Sequence, residues 1–60
     1  MILPKDPLLL MSVVNTKLRD HYADLDTLCE YLNEDRATLE AKLSEIGYFY
    51  NRQRNQFIKC

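Results

Sequence analysis

The side chains able to do chemistry in this sequence are few and widely spaced. His21 is the only histidine, and no Ser or Cys stands at a spacing from it that would make an activated nucleophile. Its more economical role is to sit at a helix end and stabilise the last carbonyls. Cys29, Cys60 and His21 lack the spacing of metal ligands. Asp24, Asp26 and Glu30 form no calcium loop, because the glycine that makes its sharp turn is missing. With one Gly in the chain there is no glycine-rich phosphate loop either. No cofactor is expected. A chain of 60 residues also has little room for a deep, water-excluding active site, so an enzyme is not expected.

What remains is charge. The formal net charge is −1, yet the charges are segregated along the chain. Residues 1–22 carry Lys5, Lys17 and Arg19 against Asp6 and Asp20. Residues 23–46 carry Arg36 and Lys42 against Asp24, Asp26, Glu30, Glu34, Asp35, Glu40 and Glu45. Residues 47–60 carry Arg52, Arg54 and Lys59 with no acid. An acidic middle followed by a basic tail bears directly on the choice of partner.

The elements that must position these groups can be read from caps and periodicity. Asp6-Pro7 is a helix start: Asp accepts from the free N–H groups of the first turn, and Pro at the first position has no N–H to orphan. The helix is expected to run from about 6 to 22, with Leu8, Met11, Val14 (or Asn15), Leu18 and Tyr22 as its stripe. Leu9, Leu10 and Val13 make its first half apolar almost all round, so it is buried on two sides, by its own domain or by a second chain. Asp24 caps a second helix, about 25–32, that turns Leu25, Leu28, Cys29 and Leu32 inward. Asn33-Glu34-Asp35 ends it: Asn tolerates the left-handed conformation, and Asp35 caps a third helix of about 36–46 carrying Leu39, Leu43 and Ile46. Gly47 stops that helix. Tyr48-Phe49-Tyr50 and Gln56-Phe57-Ile58 then change the period to that of a β-hairpin, about 48–59, with Asn51 and Asn55 as the left-handed positions of its loop. Ile2-Leu3 would add a short third strand. The tyrosines at 48 and 50 could stack on bases, but at strand spacing beside Phe57 they read as core.

The fold expected is thus mainly α with a small β-hairpin, in one domain over residues 1–60. The spacing Leu28-Cys29-x-x-Leu32-Asn33-x-Asp35-x-x-x-Leu39-x-x-x-Leu43 resembles the helix-turn-helix of transcription regulators, with Cys29 in the small-residue slot and Asn33 in the glycine slot. The hairpin would be the wing of a winged-helix-like fold. Two departures count against DNA contact through the third helix. Glu34 fills a slot that is usually apolar, so the turn is packed differently or exposed. The two-helix segment also carries an excess of five acidic charges, which a phosphate backbone repels. The wing is different: Arg52 and Arg54 project at its tip beside Asn51, Gln53 and Asn55, with Lys59 nearby, a set able to reach phosphates or a minor groove. The plainer reading is a solvated loop whose charges keep a sheet edge soluble.

With those pieces placed, the whole chain resembles a family of short bacterial proteins catalogued only as a domain of unknown function. The resemblance rests on Leu3-Pro4-Lys5-Asp6-Pro7, Ser12-Val13-Val14-Asn15, Lys17-Leu18-Arg19-Asp20, Ile46-Gly47-Tyr48 with Tyr50, and Asn55-Gln56-Phe57. It implies a complete, free-standing bacterial protein and brings no activity, cofactor or partner. Within those motifs Asn15 stands out beside the apolar stripe. One reading makes Asn15, Lys17 and Arg19 a binding patch. The other, preferred, has Asn15 hydrogen-bonding across a helix contact or setting the register of a dimer, with Asp20 pairing nearby or capping the next helix.

Location and partners follow from the same residues. The apolar run Leu8-Leu9-Leu10-Met11 is far too short to span a bilayer and fits a signal peptide badly, so no membrane association is expected and the location is cytoplasmic. Two distant cysteines agree, being no disulfide framework: Cys29 reads as a small core residue and Cys60 as an exposed thiol. The apolar excess on the first helix favours a two-fold homodimer. The reading adopted is a small regulatory or nucleic-acid-binding protein, contacting DNA or RNA through Arg52, Arg54 and Lys59 with Arg36 and Lys42. The alternative is a protein-interaction module or structural dimer using Leu9, Leu10, Val13 and Asn15, or the acidic helices.

Overall fold

The computed structural model describes residues 3–59, as three helices closed by a two-stranded antiparallel hairpin, in the order α1 (Pro7–Asp20), α2 (Leu25–Leu32), α3 (Arg36–Ser44), β1 (Tyr48–Asn51) and β2 (Gln56–Lys59). This mainly helical order is compatible with a winged-helix arrangement.

Each helix starts where an aspartate caps it. Asp6 accepts the Leu8 N–H at 2.9 Å with Pro7 opening α1. Asp24 accepts the Thr27 N–H at 2.7 Å, and Asp35 accepts both the N–H and the hydroxyl of Thr38. The Thr27 bond holds the Asp24 carboxyl below its ordinary pKa. A carboxylate with a depressed folded pKa stabilises fully above its unfolded value, about 4, and that stability drains away as pH falls through the folded value. Acid titration of unfolding should therefore be shallower in Asp24→Asn, which keeps the cap but cannot titrate; equal slopes would remove Asp24 from the acid response.

The α2–α3 turn is a Schellman closure around Asn33, which stands in the left-handed region at φ 56°. Its N–H reaches the Glu30 carbonyl, and the Glu34 N–H reaches that of Cys29 at 2.9 Å. Glu34 is exposed, which is why an acid is tolerated in a slot that regulators usually fill with an apolar residue.

Two helices end earlier than periodicity suggests. α1 stops at Asp20 rather than Tyr22, because the N–H groups of both His21 and Tyr22 turn onto the Lys17 carbonyl. α3 stops at Ser44 rather than Ile46: Ile46 and Gly47 close a tight last turn on the carbonyls of Leu43 and Ser44, and Gly47 takes φ +80°.

The core consists of Leu10, Val14 and Leu18 from α1, Leu25, Leu28 and Cys29 from α2, Leu39 and Leu43 from α3, and Phe57 from β2. Burial pushes the Cys29 thiol pKa up, keeping it protonated. Met11, Tyr22, Leu32, Ile46, Tyr48 and Tyr50 pack around this centre. The inner row of α1 is the i, i+4, i+8 set led by Leu10, whereas Leu8, expected to lead it, is 58% exposed. Where a helix is apolar almost all round, its own period does not select the buried row; the neighbouring elements do.

The hairpin pairs Tyr48 with Lys59, Phe49 with Ile58, Tyr50 with Phe57 and Asn51 with Gln56. Strand alternation turns Tyr48, Tyr50 and Phe57 to the core and leaves Phe49 outside. Asn55 takes the left-handed conformation at φ 53° as expected, but Asn51 remains in β1, where its side chain accepts the Arg54 N–H at 2.9 Å. The sheet has two strands among the described residues: Leu3 packs on the core without joining it, and Ile2 lies outside those residues.

Candidate functional site

The hairpin is bound to the helices by a polar network that local sequence reasoning does not anticipate. Asn15 projects from α1 onto the free edge of β2. Its Oδ1 accepts the Phe57 N–H at 2.7 Å, and its Nδ2 donates to the Phe57 carbonyl at 3.0 Å. One side-chain amide thereby makes the pair of bonds that a neighbouring strand would make. Gln56 Nε2 donates to the Asn15 carbonyl at 2.8 Å. Asn55, at the end of the turn, donates to the carbonyls of Leu18 (3.0 Å) and Tyr22 (2.9 Å) as α1 ends, and accepts the Tyr50 hydroxyl at 2.7 Å. The Tyr50 oxygen in turn accepts the Leu25 N–H, one of the orphan donors of the α2 start.

Asn15 thus bonds within the chain, to the main chain of β2 rather than across a helix contact. Asp20 pairs with its own neighbour Arg19, at 2.9 Å, and the guanidinium holds the Asp20 carboxyl below its ordinary range. Leu10 is withdrawn from any interaction surface, being 1% exposed in the core. Val13 is half-buried, and Leu9 is exposed beside Leu8. The outer side of α1 forms an open trough of about 290 Å³ along Ser12, Val13, Thr16, Lys17 and His21.

The five basic residues expected to meet nucleic acid are spread over α3, the hairpin turn and β2. Arg36 is held by Asp26 at 2.8 Å and Glu40 at 2.7 Å, with its guanidinium 5.5 Å from the Tyr50 ring centroid. Those two carboxylates push its pKa still higher and neutralise its field, so Arg36 braces α2, α3 and β1 rather than offering a free charge. Lys42 is exposed on α3, over a trough it shares with Lys5, Glu34 and Thr38. Lys59 lies opposite Tyr48, three residue pairs and roughly 10 Å from the turn. Arg52 and Arg54 remain together on the turn, exposed and without an ion pair among the described residues. Arg52 borders an open trough with Asp24, Asp26, Arg36 and Tyr50.

Among the described residues, no three His, Cys, Asp or Glu side chains gather to hold a metal ion, and no helix is long and apolar enough to cross a membrane. The functional candidate is the hairpin: a turn carrying two exposed arginines, anchored at Asn55 and Asn51, with Phe49 exposed on its outer face.

No curated protein and no solved structure matches the chain. A family model does, over residues 4–57, and its description is a domain of unknown function, DUF4250. The match takes in the Asn15 amide, the Tyr50–Asn55 network and the arginine-bearing turn between them. On that coverage, 4–57 of 60 residues, the chain belongs to the DUF4250 family.

Proposed function

We propose that this is a non-enzymatic, regulatory nucleic-acid-binding protein that grips phosphates with the tip of its hairpin. The observation that carries the reading is the placement of Arg52 and Arg54, exposed and without a close ion pair among the described residues, on a turn tied to α1 by Asn55 and stiffened by the Asn51–Arg54 bond, with Asp24 and Asp26 across the trough from Arg52. A turn that only kept the sheet edge soluble would need no such anchoring; one that must present charge at a fixed height gains from it. The acidic residues of α2 and α3 turn the phosphate backbone away from α3 and leave the hairpin as the contact. Lys42 and Lys59 are flanking charges, and a cytoplasmic location belongs to the same reading.

The test is a titration of labelled mixed-sequence duplex and single strand by fluorescence anisotropy at several salt concentrations. Two phosphate contacts correspond to a slope of log K against log salt of about −1.8 on duplex, and each arginine replaced by alanine should flatten it by about 0.9. Thermal stability of Arg52→Ala/Arg54→Ala should stay at the wild-type value, since neither side chain packs in the core. No binding at low salt, or an unchanged slope in the double variant, overturns the proposal. The alternative, a protein-interaction module, is favoured by one observation: Leu8 and Leu9, each 58% exposed, stand side by side at the start of α1.

A further inference from the structure

The two edges of the hairpin are treated differently by the fold. In an antiparallel ladder, residue pairs alternate between those that exchange both main-chain hydrogen bonds and those that exchange none. The N–H and carbonyl of Phe57 both go to the Asn15 side chain, so the Tyr50–Phe57 pair exchanges none, and the Phe49–Ile58 pair exchanges both. It follows that Tyr48 and Tyr50 point their main-chain N–H and carbonyl groups away from β2. Among the described residues no hydrogen bond reaches these groups. α3 packs against this strand, with Arg36 lying over the Tyr50 ring, but makes no main-chain hydrogen bond to it among the described residues. The β2 edge is thus closed by the Asn15 amide, while the β1 edge is left without a hydrogen-bond partner. It is short, but its four residues Tyr48-Phe49-Tyr50-Asn51 hold no charge, no proline and no bulge.

We propose that the open edge of β1 pairs with the β1 edge of a second copy of this chain, giving a four-stranded antiparallel sheet in the order β2-β1-β1-β2. The inference does not rest on nucleic-acid binding. The free groups fix the register. Tyr48 of one copy must lie opposite Tyr50 of the other for both to exchange their bonds, and the two-fold axis then passes between the two Phe49 residues. That central pair exchanges no main-chain bonds, the geometry in which cross-strand side chains come closest. Phe49, 49% exposed in the single chain, is thereby covered by its own counterpart. The antiparallel arrangement also brings the start of each β1, preceded by the exposed Glu45, toward the end of the other, followed by the exposed Arg52 and Arg54, so ends of opposite charge approach one another. A second copy is the occupant that satisfies all three features at once: the main-chain pairing, the exposed aromatic and the opposite charges at the two ends.

Sedimentation equilibrium of the full chain under reducing conditions, at concentrations up to about 1 mM, measures the association. Wild type should form dimers, and backbone amide exchange at Tyr48 and Tyr50 should slow as concentration rises. Phe49→Lys, at an outward position that the fold does not use, should raise the dissociation constant about tenfold or more. Glu45→Arg should weaken association in low salt, whereas Leu9→Asp on the outer face of α1 should leave it unchanged. A wild-type chain that stays monomeric throughout overturns the proposal. So does a dimer that survives Phe49→Lys at wild-type strength, or one that is lost in Leu9→Asp instead.

Discussion

Replacing Asn15 with alanine should destabilise the protein by about 2–4 kcal/mol, because it removes two hydrogen bonds and leaves the N–H and carbonyl of the buried Phe57 with no partner. A domain of this length has a total stability of only about 3–9 kcal/mol, so the loss is a large share of it. The damage is also directional. Phe57 is 2% exposed and is the hairpin's contribution to the core, so freeing its main chain loosens the hairpin from α1 before the helices separate. Urea denaturation gives the magnitude, and amide exchange at Phe57 gives the location. Asn15→Asp should be no better: it retains the acceptor for the Phe57 N–H but sets a negative oxygen against the Phe57 carbonyl. A loss below about 0.5 kcal/mol for the alanine variant, within the range of ordinary surface changes, would show that the amide is not what holds the strand.

Asn55 should be nearly as sensitive, for two separable reasons. Its side chain joins the carbonyls of Leu18 and Tyr22 to the Tyr50 hydroxyl, and its backbone holds φ 53°. Asn55→Ala loses the three hydrogen bonds and places a β-carbon in the left-handed region, for an expected cost of about 3–5 kcal/mol. Asn55→Gly loses the same bonds without that strain and should be the milder by about 1 kcal/mol. The Tyr50 hydroxyl, left without its acceptor, should then hold the Leu25 N–H less firmly and let the first turn of α2 fray. Equal stabilities for the two variants would mean that the turn relaxes out of the left-handed conformation once the side chain is gone. In both cases the arginine-bearing tip loses its anchor, so these variants should also bind nucleic acid more weakly than their charge implies if the tip is the contact.

The polar network also divides the residues of the matched segment by what they do. Asn15, Tyr50, Asn55, Gln56 and Phe57 are occupied in joining the hairpin to α1 and α2, and Gly47 supplies the positive φ that leads into β1. These positions build the scaffold. Arg52 and Arg54, between them in sequence, are what the scaffold holds out to solvent, with the bare edge of β1 beside them.

Much of the fold was legible because it depends on residues within a few positions of one another. The caps at Asp6, Asp24 and Asp35, the left-handed Asn33 and Asn55 and the positive φ of Gly47 are each decided inside a single turn, and all lie where local chemistry puts them. Phe49 was legible too: once Tyr48 and Tyr50 are assigned to the core, a period of two leaves Phe49 outside. Part of the Arg36 clamp could be read from its i, i+4 spacing to Glu40, although Asp26, ten residues earlier, could not. By itself, then, the sequence determined the order and starts of the three helices and the hairpin, because capping, periodicity and turn chemistry are local. Only the tertiary structure decided that Leu10 rather than Leu8 is buried, that Asn15 reads the main chain of a strand 42 residues away, and that Arg36 is clamped by two carboxylates while Arg52 and Arg54 make no close ion pair among the described residues. A uniformly apolar helix face, a side-chain amide and a guanidinium each suit many partners equally well. Which one they meet is settled when the elements pack and every buried polar group must find an acceptor or donor.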